Sequence, residues 1–143
     1  MIVNQLSAFV ENKAGRLAEI AETLAANNVD LSAVSLADSA DYGVIRMLVN
    51  DPEKAAKVLK ESGVICKITK VLAVAMEDAP GGFARVLHLL KNQSHEIKYM
   101  YACISRHEGK ALMVFSVEDV EAAEALIAGT SAGDVHPADI YRI

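Results

Sequence analysis

The chain has 143 residues, of which 52% are hydrophobic and 23% charged, and its formal net charge is -5. That length suits one ordinary domain or two small ones rather than a multidomain enzyme built around a large cleft. The apolar content is enough for a packed core, and an acidic balance with no Lys/Arg run lacks the electrostatic footprint of a nucleic-acid or anionic-membrane binder, so both partners are excluded.

In chain order, Leu6 to Val10 reads as a buried strand, followed by a helix with its apolar stripe at Leu17, Ile20, Ala21 and Leu24 and with Asn12 as the capping residue upstream. An extended segment at Val29 to Leu36, a glycine turn at Gly43 and a strand at Val44 to Val49 make a hairpin. Asp51-Pro52 opens a second helix carrying Ala55, Val58 and Leu59, Gly63 ends it, and Val64 to Ile68 reads as a closing strand. The same order then returns. Leu6 to Leu24 aligns with Leu72 to Leu90 at an offset of 66 residues, so that Glu11 meets Glu77, Gly15 meets Gly81, Ile20 meets Val86 and Leu24 meets Leu90. Val71 to Met76 is the strand of this second half, and its helix carries Phe83, Val86, Leu87 and Leu90, with Asp78 as cap and Pro80 in the first turn. Ile97 to Ile104, a turn at Gly109 and Ala111 to Phe115 make the second hairpin. Past that turn the register slips by one. Ser116 and Asp119 open a helix over Val120 to Ile127 that ends at Gly129, and Ile140 to Ile143 is the closing strand.

Strand, helix, strand, strand, helix, strand is the split βαβ, ferredoxin-like order. The expected fold class is therefore α+β: two ferredoxin-like βαββαβ repeats, residues 1–69 and 70–143, with antiparallel sheets and helices on one face. Units of about 70 residues are marginal alone, so an intrachain pseudo-dimer is expected.

Catalytic signatures are absent from the sequence: there is no glycine-rich nucleotide loop, nucleophile elbow or His-Glu-x-x-His. Neither an enzyme, a cofactor nor a metal site is expected. Cys66 and Cys103 lie far apart in apolar stretches and read as reduced core thiols. Of His88, His95, His107 and His136, only His95, at the start of a strand beside a loop, is kept as a ligand candidate. Tyr99, Met100 and Tyr101 read as core and interface packing rather than a base-stacking platform. The opening MIVNQLSAFVEN has no basic segment or small-residue cleavage site, and no apolar run approaches the ~20 residues of a membrane span, so a cytoplasmic protein is expected.

The strand-to-helix junctions carry the chemistry. Asn12, Lys13, Ala14, Gly15 and Arg16 in one half, and Asp78, Ala79, Pro80, Gly81 and Gly82 in the other, place a turn and a glycine ahead of a helix start. The free N–H groups of a first helical turn, backed by the helix dipole, suit a small carboxylate. These residues resemble the Asp/Asn-x-Pro-Gly-x-Leu loop of the ACT domain, matching it at Asn12 to Leu17 and Asp78 to Phe83, and the resemblance covers essentially the whole chain twice. Ala14 stands where the family has proline, and Ser94-His95-Glu96-Ile97 departs from the Asn-rich turn that Asn28-Val29-Asp30-Leu31 matches.

The resemblance implies a stand-alone tandem ACT protein that binds a free amino acid where two ACT repeats meet and regulates metabolism, with a homodimer or a metabolic enzyme as possible further partner. It also implies two mirrored sites. One would combine Asn12 to Leu17 with Ser94, His95, Ile97 and Tyr99; the other would combine Asp78, Ala79, Pro80, Gly81, Gly82 and Phe83 with Asn28, Val29, Asp30 and Leu31. Two other readings stay open: a non-catalytic adaptor that binds an enzyme without a ligand of its own, and a small enzyme on the same scaffold.

Overall fold

The computed structural model describes residues 1–38, 41–91, 96–107 and 109–141. Its elements run β1 (Ile2–Glu11), α1 (Arg16–Ala26), β2 (Leu31–Asp38), β3 (Tyr42–Val49), α2 (Pro52–Glu61), β4 (Cys66–Glu77), α3 (Gly82–Lys91), β5 (Ile97–His107), β6 (Lys110–Val117), α4 (Val120–Ile127), a 3₁₀ turn (Ser131–Gly133) and α5 (Pro137–Tyr141). Two compact units result. One joins Asn4–Thr69 to the residues from Ile140 onward, and the other joins Met1–Val3 to Lys70–Asp139. Each unit combines a long interior stretch with a short terminal segment, Met1–Val3 in one and Ile140 onward in the other.

In the first unit β1 pairs antiparallel with β3, from Leu6 opposite Met47 to Glu11 opposite Tyr42, and β3 pairs with β2 out to Asp38 opposite Gly43. On the other edge of β1 the Phe9 N–H donates to the Ile65 carbonyl at 2.9 Å. The period-2 alternation of strands sends Leu6, Ala8 and Val10 of β1 and Ile45, Met47 and Val49 of β3 to one face. There they meet Ile20 and Leu24 of α1 and Ala55 and Leu59 of α2. Leu17 and Ala21 stay exposed, so the helical stripe is narrower than its sequence period suggests.

The second unit repeats this with β4 against β6, Leu72 opposite Phe115, and β6 against β5. Leu72, Val74, Val86 and Leu90 stand at the positions of Leu6, Ala8, Ile20 and Leu24 and form the matching core. Its fourth strand differs from expectation. The Met1 ammonium donates to the Ala73 carbonyl at 3.0 Å and the Ala73 N–H donates back to Met1 at 2.9 Å, and two bonds exchanged by one residue pair make an antiparallel bridge. Ile140 to Ile143 is not a strand: Pro137–Tyr141 is α5, begun by the His136 N–H donating to Asp139 Oδ2 at 2.8 Å, and residues 142–143 lie outside the described residues.

Caps fix the helix limits. Asp51 Oδ1 accepts from the Lys54 N–H at 3.0 Å with Pro52 in the first turn, and Asp119 Oδ1 accepts from Ala122 at 2.9 Å. Ser116 belongs to β6 and takes no part. The paired caps stand two residues out of the 66-residue register rather than one, and the 8-residue α4 recovers them against the 10-residue α2, so Gly63 and Gly129 are again in step. Gly43 is not a turn residue. It sits inside β3, where an added Cβ would lie 3.1 Å from Leu36 Cδ1.

A cut at 69/70 leaves fragment 70–143 without Met1 to bridge Ala73, and fragment 1–69 without the fully buried Ile140. Expressed apart, neither fragment is expected to melt cooperatively as a monomer; circular dichroism with sedimentation checks this.

Candidate functional site

The two junctions adopt one geometry. In the first, the Arg16 N–H donates to the Lys13 carbonyl at 3.2 Å across Ala14-Gly15, and Gly15 has φ +83° and ψ -12°. In the second, the Gly82 N–H donates to Ala79 at 3.0 Å across Pro80-Gly81, and Gly81 has φ +87°. A three-residue closure with a left-handed third residue is a type II turn, which takes proline at its second position. Pro80 therefore serves the turn rather than the first turn of α3. Asn12 stands four residues ahead of Arg16 and does not cap α1, whose boundary Gly15 supplies with no side-chain cap; Asp78 stands four residues ahead of Gly82.

The first-turn donors can be accounted for. Glu19 N–H donates to Gly15 at 3.1 Å and Arg85 N–H to Gly81 at 3.0 Å. The N–H groups of Leu17 and Ala18, and of Phe83 and Ala84, lie between these bonds and belong to the set that a helix start leaves without an intrahelical acceptor. Such N–H groups carry partial positive charge, which at a helix start favours an anion.

Around the first junction the fold opens a cavity of about 260 Å³ that brings together Asn12, Lys13 and Leu17 with Leu36, Asp38 and Gly43. Leu36, Asp38 and Gly43 carry no sequence signal of this role, because the β2–β3 register alone brings them beside the junction. Arg16 turns away and pairs with Glu19 at 2.8 Å. In the second unit Gly82 is the buried residue of the junction, and a Cβ there would collide with the Glu77 carbonyl.

The other expected site residues have structural roles. Asn28, at φ +55°, ends α1: Asn28 N–H donates to Ala25 at 3.0 Å and Val29 N–H to Leu24 at 3.0 Å, which is the Schellman closure with its left-handed residue. Asp30 and Asn50 exchange bonds at 3.0 and 3.2 Å, and Leu31 starts β2. Ile97 packs against the second core, and Tyr99 is half-buried. Ser94 and His95 lie outside the described residues.

Charges at the matched positions differ. Glu11 pairs with Lys13 at 2.9 Å, and the hydrogen bond and charge of Lys13 hold its carboxyl below the ordinary value. Glu77, its counterpart, pairs with Arg85 instead. Cys66 and Cys103 are unlinked, and burial pushes the Cys103 thiol up to about 11. Among the described residues no group of three or more His, Cys, Asp or Glu is placed to hold a metal ion, and no helix is long and apolar enough to cross a membrane.

Two split βαβ units with the same glycine turn ahead of the first helix define the class: a duplicated ferredoxin-like α+β module. A family model described as an ACT domain pair matches residues 1–142, and the chain belongs to that family. A protein of Bacteroides thetaiotaomicron known from its crystal structure is 34% identical, with TM-score 0.90 over 100% of this chain and 98% of that one. The ligand-free regulatory subunit of aspartate kinase from Thermus thermophilus is 12% identical, with TM-score 0.62 over 89% and 95% of the two chains. The corresponding subunit from Thermus flavus is 12% identical, with TM-score 0.59 over 89% and 93%. At these last identities the likeness is one of fold. No curated protein matches the chain.

Because Ala14 holds the turn position that Pro80 fills, Ala14→Pro is expected to raise stability by about 0.4–1 kcal/mol through the unfolded chain. Gly82→Ala is expected to lower it by about 1–3 kcal/mol, because the helix start must move off the Glu77 carbonyl; urea unfolding measures both. The Glu11 carboxyl should titrate below an ordinary glutamate by NMR and move back up in Lys13→Ala. Since its folded value is lowered, whatever stability it contributes is present above the unfolded value and is lost as pH falls through the folded one.

Proposed function

We propose that this ACT pair is a non-catalytic regulatory module that binds a free amino acid where two ACT repeats meet. The observation that carries the reading is the recurrence, 66 residues apart, of the same type II turn ahead of a helix start, whose first-turn N–H groups have no acceptor within the helix. These N–H groups are the seat for the α-carboxylate. Near the first junction the amide oxygen of Asn12 and the carboxylate of Asp38 are acceptors suited to an ammonium, and Leu17 and Leu36 supply apolar wall for a side chain. A ligand with so few atoms is expected to bind between roughly 1 μM and 1 mM. The aspartate kinase regulatory subunits share this fold, so an enzyme of amino-acid metabolism is the kind of partner such a module would regulate.

A thermal-shift panel of the twenty amino acids tests the reading, followed by calorimetry on the best hit. At least one amino acid should raise the melting temperature, and Gly15→Val or Gly81→Val, which force a β-branched residue into left-handed φ at the seat, should remove binding at the altered junction. No shift with any amino acid, or unchanged affinity in both variants, would leave the adaptor reading in its place.

A further inference from the structure

Large apolar side chains scattered over a surface are ordinary. Two of them here are not scattered: Leu17, 41% exposed in the first turn of α1, and Leu36, 54% exposed near the end of β2, stand in the wall of the same cavity of about 260 Å³. Pairing sets Leu36 opposite Ile45, whose side chain lies in the core beneath α1, so Leu36 projects from that same sheet face. Gly43, two residues along β3, gives it room: a Cβ there would lie 3.1 Å from Leu36 Cδ1. The bare backbone of β3 thus fixes where the second apolar wall stands.

The charges of this wall leave room for one cation only. Lys13 is held by Glu11 at 2.9 Å, so those two offset each other, and Asp38 remains. The ammonium of an amino acid balances Asp38. A cationic side chain would then find no second carboxylate to balance it in the wall, and an anionic one would be repelled by Asp38. The second unit keeps the turn but not the wall. By register Ala102 holds the place of Leu36 and Ala111 that of Gly43, while Arg106 stands opposite Ala111 as Asp38 stands opposite Gly43. A wall that duplication did not copy is not required by the fold.

We infer that the first junction selects an amino acid with a neutral aliphatic side chain, seated between Leu17 and Leu36, and that these two leucines are its specificity-determining residues. The inference rests on the amino-acid reading of the junction and names the class that reading leaves open. The ligand's side chain covers two leucines that otherwise face water, and its ammonium meets Asp38. A cavity of about 260 Å³ is just below the ~300–1,000 Å³ usual for drug-sized ligands, as suits a molecule of few atoms. Each methylene taken fully out of water is worth about fourfold in affinity. The cavity is partly open, so leucine, with three carbons more than alanine, is expected to bind about tenfold tighter than alanine.

The test is a methyl and amide NMR titration of the full chain with L-leucine, L-alanine, L-lysine, L-aspartate and 4-methylpentanoate, which is leucine without its ammonium. Leucine should give saturable shifts at Leu17 and Leu36 and bind tightest, and 4-methylpentanoate should not bind. Leu36→Ala, at an exposed position, should cut the preference for leucine over alanine from about tenfold to about threefold while leaving alanine binding unchanged. Leu17→Ala, on the opposite wall, should do the same, and a general loss of structure would weaken both ligands alike. Lysine or aspartate binding as tightly as leucine, an unchanged preference in both variants, or leucine shifts confined to Phe83 and Ala102 overturns the inference and leaves the amino-acid reading standing. So does self-association through Leu36, which would make a second copy its cover. Binding of no amino acid overturns both.

Discussion

One backbone constraint organises each unit: the third residue of the turn after the first strand must be left-handed. A side chain at that φ costs about 1–2 kcal/mol, so the position selects glycine, at Gly15 and at Gly81. From that turn follow the start of the helix, the face it lays on the sheet and the choice of first-turn N–H groups that are spent within the turn. Ile20 and Leu24 reach Leu6 and Ala8 because the helix begins where it does, and Val86 and Leu90 reach Leu72 and Val74 for the same reason. The seat proposed for a carboxylate is a by-product of the same closure.

The repeat, the fold class, the two cores and the Asp51 and Asp119 caps were legible because each rests on local spacing. The misreadings share a physical source: one residue type serves two local needs. Proline fixes φ and lacks an N–H, which fits a helix start and the second position of a type II turn equally well; the turn holds Pro80. Glycine at 43 admits a neighbouring side chain rather than a bend. Asn28, which matches a ligand-site motif, is the residue that tolerates left-handed φ where α1 must stop. Ile140 to Ile143 looks like a strand on composition, yet Pro137 and Asp139 start a helix there, and the strand position is filled by residues from the far end of the chain. Leu36 and Asp38 join the first junction only through long-range pairing, which no local pattern reports.

The halves diverge where divergence is cheap. Glu11 uses Lys13 and Glu77 uses Arg85, and exposed ion pairs of this kind contribute little, so partners can be exchanged freely. Arg16 and Gly82 are a different case. The second unit brings its helix start against the Glu77 carbonyl, a position open only to glycine, and the first unit does not. Duplication has kept the backbone of the junction while letting the floor beside it change in size and polarity.

The exchange of terminal segments has a consequence for how the chain acquires its structure. Met1 closes on Ala73 across 72 residues, and the Asn4 N–H meets the Tyr141 hydroxyl across 137. Closing such long loops carries an entropy cost that only late, cooperative contacts repay. During synthesis Met1–Val3 is made long before the strand it borders, and the first unit waits for Ile140, which follows β4 to α4 in the chain. Neither unit draws its full complement of contacts from one contiguous stretch of chain, so the two are not completed as successive local events.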